Sequence, residues 1–172
     1  MFRWMQLAAA LAIAAAASLG IAATLTADEN VQVVQVRDDC DPATFNAAIG
    51  PGTCIGDGGT TFAAFIAEVS ANQSAEQWRF NPDRMSEAKP IVAQNRGGET
   101  HSFTKVANFG GGVVGVLNTL SNNPVPAPEC LQQSVGATFV GPGQNLTVDG
   151  VAGGDKYQCC IHPWMRTTVR KR

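Results

Sequence analysis

Apolar and polar residues alternate with different periods along the chain, and the change of period marks its elements. Gln32-Val33-Val34-Gln35-Val36 reads as a short strand leading into Arg37-Asp38-Asp39-Cys40. Phe62, Phe65, Ile66 and Val69 then recur at i, i+3, i+4 and i+7, the spacing of one apolar helix face, with Thr60 or Thr61 placed to cap it. From Trp78 onward the period shortens to that of strands. Trp78-Arg79-Phe80-Asn81-Pro82 reads as a strand and turn, followed by strands at Ile91-Val92-Ala93-Gln94-Asn95 and Phe103-Thr104-Lys105-Val106. Val113 to Leu120 fits either a strand or a short helix. Pro124, Pro126 and Pro128 make an extended, poorly pairing loop that delivers Cys130. Further strands are expected at residues 137–140, 145–148, 156–159 and 166–169. Many short strands between Gly and Pro turns predict an all-β sandwich.

The 172 residues allow one domain and an extension. Residues 1–27 begin with the basic Arg3, run through an alanine-rich apolar stretch and end before Asp28 and Glu29, which is the pattern of a secretory signal peptide. The run approaches membrane-spanning length, so a retained anchor is the other reading, and the membrane is met only through this segment. Residues 28–75 are then expected as an N-terminal extension and residues 76–172 as the main domain, with the helix at Phe62 to Val69 docked on it.

A formal net charge of −2 offers no basic stripe for nucleic acid. Arg166, Arg170, Lys171 and Arg172 form a local basic cluster that reads as a solvated chain end. Five cysteines in an exported chain call for pairing and leave one over. Cys40 and Cys54 flank the turn formers Asp41-Pro42 and Gly50-Pro51-Gly52. A disulfide there closes a loop of about 15 residues, stabilising by about 3 kcal/mol on the chain-entropy account.

The densest chemistry lies in Tyr157-Gln158-Cys159-Cys160-Ile161-His162-Pro163-Trp164-Met165, which carries a thiol, an imidazole and a thioether in the order Cys-x-x-His-x-x-Met. Thiolate and imidazole suit copper or zinc, and a thioether points towards copper. The chain has two histidines, and the second, His101, completes a set of two imidazoles, one thiolate and one weak thioether, the donors of a blue-copper centre.

Asn95-Arg96 followed by His101-x-Phe103, and then Tyr157-x-Cys159-x-x-His162-Pro163-x-Met165-Arg166, resembles the cupredoxins. The short ligand loop is most similar to the amicyanin type, and the resemblance covers about residues 76–170. It implies a Greek-key β-sandwich and a single type 1 copper held by His101, Cys159, His162 and Met165. The chain departs from the family pattern at Ser102, where asparagine is frequent, and at Ala88-Lys89-Pro90. The stretch between His101 and Cys159 is also long. With Cys159 facing the copper, the alternation of a strand turns Cys160 to the opposite face, where Cys130 is its natural partner. A strained Cys159–Cys160 ring is the alternative.

The resemblance further implies a periplasmic or secreted one-electron carrier that meets redox partner proteins through a surface formed by His162, Pro163 and Trp164. Two histidines already committed to one ion leave none for a catalytic copper, so the reading is not an enzyme. A module that stores, delivers or senses copper and a structural domain of the same shape are the alternatives.

Overall fold

The computed structural model describes residues 31–171. The expected signal segment, residues 1–27, and Arg172 lie outside the described residues. Ten strands and three α-helices make up the described chain, together with two 3-10 helices at Pro128–Leu131 and Gln133–Thr138. One sheet has the order β2 (Arg79–Asn81), β1 (Gln32–Arg37), β4 (Ile91–Asn95), β8 (Asn145–Val148). The second runs β3 (Arg84–Met85), β10 (Arg166–Val169), β9 (Lys156–Gln158), β6 (Thr104–Val106). A two-stranded ribbon joins β5 (His101–Ser102) to β7 (Phe139–Val140).

The expectation of an all-β Greek-key cupredoxin sandwich does not hold: the fold is mixed α/β, and both large sheets combine parallel with antiparallel pairs. β1 lies parallel to β4 in the register Gln32↔Ile91 to Val36↔Asn95, and β10 lies parallel to β3. Parallel pairing needs a long crossover connection. The chain between β1 and β4 includes α1 (Pro42–Ala48) and α2 (Phe62–Asn72).

Local chemistry explains the helices that the strand pattern concealed. Asp41-Pro42, expected as a turn, starts α1 instead. The Asp41 carboxylate accepts from the Ala43 and Thr44 amides, and Pro42 occupies the first turn, where no N–H is needed. Thr61 caps α2 through the Ala64 amide, and Phe65 and Val69 are its buried residues. The ambiguous Val113 to Leu120 stretch resolves as α3 (Gly115–Leu120). Asn118 on that helix exchanges two hydrogen bonds with the backbone of Gly112, at 2.7 and 2.9 Å. Residues 137–140, expected as one strand, are the end of a 3-10 turn and the two residues of β7.

The residues expected to form an extension share one core with the remainder. Val34, Val36, Phe45, Phe65 and Val69 cluster with Trp78, Phe103 and Tyr157. The Trp78 ring lies 5.8 Å from Phe45 and 4.5 Å from Phe65. β1 is an interior strand, so the N-terminal third builds the sheet rather than decorating it.

Two disulfides join Cys40 to Cys54 and Cys130 to Cys160, and Cys159 alone among the cysteines is free. They point to an oxidising, extracytoplasmic environment. No helix among the described residues is long and apolar enough to cross a membrane. Arg166 is not part of a solvated cluster: it donates to Asn123 Oδ1 and Pro163 O at 2.6 Å each and lies over the Phe109 ring.

Candidate metal centre

Cys159 directly follows β9, whose two neighbours β10 and β6 hold it in place. The chain then turns tightly: the Met165 amide donates to His162 O and the Cys159 amide to Met165 O, both at 3.0 Å. His101 opens β5 and is held across the ribbon opposite Val140. These elements bring His101, Cys159 and His162 together, each at most 2 % exposed, with their donor atoms within 4.8 Å of one another. Cys159 Sγ lies 3.8 Å from His101 Nδ1 and 3.9 Å from His162 Nδ1, and the two Nδ1 atoms are 3.3 Å apart. Met165 is buried in the same loop.

Ser102 supports the Cys159 sulfur. Its amide points at Cys159 Sγ from 3.4 Å, while its hydroxyl accepts the Cys160 amide at 2.7 Å and the Thr104 hydroxyl at 3.0 Å. Cys160 faces away, into a separate small cluster with Cys130, Val106 and Ala127.

Both imidazoles turn their other nitrogen to a carboxylate. His101 Nε2 lies 2.7 Å from Asp38 Oδ2, and His162 Nε2 lies 3.7 Å from Glu99 Oε2. Asp38 accepts from the Gly98 amide at 2.9 Å and the Glu99 amide at 3.1 Å, an approach that a side chain at Gly97 would block. Glu99 Oε2 accepts the Trp78 indole N–H. The Asp38 contact fixes the His101 ring and leaves its Nδ1 for a metal, while Glu99 stands near His162 beyond hydrogen-bond distance. Sequence reasoning missed both. The available signal was Glu99 itself, two residues before His101 and so on the same face of an extended chain. Asp38 carried none, because its approach depends on the β1–β4 pairing.

Of the three residues expected at an electron-transfer surface, His162 and Pro163 are buried and Trp164 is partly buried. The His162 ring is covered by Phe65 at 6.0 Å and Trp164 at 5.5 Å.

Buried charges in this cluster shift one another. Burial pushes the His101 pKa down, but Asp38 and the Cys159 sulfur outweigh it and raise the value to about 10. Burial opposes the Cys159 thiolate too, yet hydrogen bonds from the two imidazoles bring the thiol well below its ordinary value. For Asp38, burial is overcome by His101 and the two amides, and the carboxyl falls to about 2. These directions favour an imidazolium at His101 between a Cys159 thiolate and the Asp38 carboxylate when no metal is bound.

The pH dependence follows from these signs. The stabilisation from His101 is complete below its unfolded pKa of about 6.5 and is lost as the pH rises through about 10. That from Cys159 is complete above its unfolded pKa of about 8.5 and is lost as the pH falls towards the depressed folded value. That from Asp38 is complete above about 3.9 and is lost as the pH falls through about 2. Between about pH 6.5 and 8.5 the first two changes oppose each other, so the metal-free protein should be most stable across that window. Urea midpoints measured from pH 4 to 10 check this. A midpoint that climbs steadily to pH 10 contradicts a charged His101.

No protein-family model, curated protein or solved structure matches the chain.

The donor set fits a metal ion. Three Lewis bases converge in a buried space, and two imidazole nitrogens 3.3 Å apart repel unless a proton or a cation lies between them. The carboxylates behind the rings balance the charge of such a cation.

Proposed function

We propose that this protein is a one-electron carrier of the cell envelope with a mononuclear type 1 copper centre. His101 and His162 would hold the ion through Nδ1 and Cys159 through Sγ, with Met165 as the weak thioether contact. Copper in such a set supplies a reversible one-electron couple. The observation that carries this reading is the buried convergence of His101 Nδ1, Cys159 Sγ and His162 Nδ1. The Cys-x-x-His-x-x-Met loop selects copper over zinc by its thioether.

The residues around the donors suit a carrier better than a catalyst. β9, β5 and the tight Cys159–Met165 loop fix the donors, so a change of charge asks for little rearrangement. Asp38 holds the outer edge of the His101 ring, and Phe65 and Trp164 pack against the His162 ring. Both histidines of the chain are used, which leaves no imidazole for a second, substrate-binding copper.

Copper loading of the purified chain with its disulfides intact tests the reading. An intense visible thiolate-to-copper band should form, bleach on reduction and return on oxidation, with one copper retained throughout. A colourless oxidised copper form ends the type 1 assignment. Loss of copper on each reduction favours delivery of the metal over electron transfer.

A further inference from the structure

Behind His162 the packing opens into a pocket of about 550 Å³ between α1, α2 and α3. Phe45 of α1, Phe62 and Phe65 of α2 and Val116 and Leu117 of α3 line it, together with the buried Glu99 and His162. Protein interiors are normally filled to crystal density. An apolar cavity of this size with a few convergent polar groups has the character of a small-molecule site. Glu99 supplies the polar group: it is 5 % exposed, its Oε2 is occupied by the Trp78 indole, and no described residue hydrogen-bonds its Oε1.

We infer that this pocket binds a small aromatic hydroxyl compound, its ring between the phenylalanines and α3 and its O–H donated to Glu99. The aromatic walls favour a flat ring, whose preferred contacts with other rings are edge-on or offset. A carboxylate in such surroundings gains most from a donor that brings no second charge to bury. A phenolic hydroxyl needs one acceptor, whereas an ammonium brings three donors into a cavity whose walls are largely apolar. The rim is open to solvent at Val116, which is 61 % exposed. A broad protein face cannot reach the buried lining, because His162 itself is 2 % exposed. The pocket and Glu99 are properties of the metal-free fold, so this inference stands apart from the copper assignment. It places a hydrogen-bearing molecule against the carboxylate that faces His162.

The test uses the metal-free chain with both disulfides intact. 2-Naphthol and its methyl ether, which lacks the O–H donor, are titrated by calorimetry and by the NMR shift of the Trp78 indole N–H. Saturable one-to-one binding of 2-naphthol is expected, roughly tenfold tighter than that of the ether. Glu99→Gln should weaken the naphthol by about tenfold and leave the ether nearly unchanged. Val116→Trp, a change at an exposed rim position, should fill the pocket and remove binding of both. Absence of saturable binding to the folded protein overturns the inference. Equal affinities for naphthol and ether, or binding that survives Val116→Trp, also overturn it.

Discussion

Serine in place of Cys159 is expected to abolish the visible band of the copper-loaded protein and to weaken copper binding by at least about 100-fold, since even outer-shell substitutions cost ten- to a hundredfold. Cys159 is the free cysteine of the chain and lies within 3.9 Å of both imidazoles. A hydroxyl does not ionise as the depressed thiol does, so the variant loses the anion that balances His101. The β9 hydrogen bonds and the Cys159 amide bond to Met165 O involve backbone and should persist. Far-ultraviolet circular dichroism should therefore match the parent while the visible spectrum is blank. A variant that keeps the parent band would place the thiolate elsewhere.

Cys130→Ala/Cys160→Ala should leave the colour and lower stability. The bridge spans a sequence separation of 30 residues with Cα atoms 5.4 Å apart. Chain entropy assigns a closed loop of this size about 3–4 kcal/mol. The loss should appear as a lower urea midpoint in the metal-free protein, and copper loading should raise the midpoints of parent and variant alike by mass action. Removing both cysteines avoids a lone thiol next to Cys159. A bleached double variant would make Cys160 a donor, against its position in the Val106–Cys130 cluster.

The convergence of His101, Cys159 and His162 was readable because these side chains carry metal-binding chemistry, and with two histidines in the chain little choice remained. The i, i+3, i+4, i+7 pattern at Phe62 likewise gave α2, which is long enough for its period to show. α1 and α3, at seven and six residues, are too short for that, and the residues of α3 suit either state. The parallel β1–β4 pairing was invisible for another reason. Alternation says which face of a strand is buried but not which neighbour it takes, so in sequence the N-terminal third has the look of an appendage. That pairing carries Asp38 to His101 across 63 positions. One topological relation thus hid both the fold class and half of the carboxylate pair. Ser102 is a smaller case: only the geometry shows one residue serving the thiolate through its amide and the Cys160 backbone through its hydroxyl.

The cover of Phe65 and Trp164 over His162 has a kinetic meaning. When a metal's imidazole reaches the surface, two copies of a carrier can touch edge to edge and trade electrons on chance collision. A ligand ring that is 2 % exposed does not allow that encounter. If the proposed copper centre forms, self-exchange in solution should be slow, and electron transfer would be confined to molecules shaped to come close. In the proposed carrier, α2 and Trp164 would thus act as electrical insulation, selecting which molecules could discharge the centre and how often.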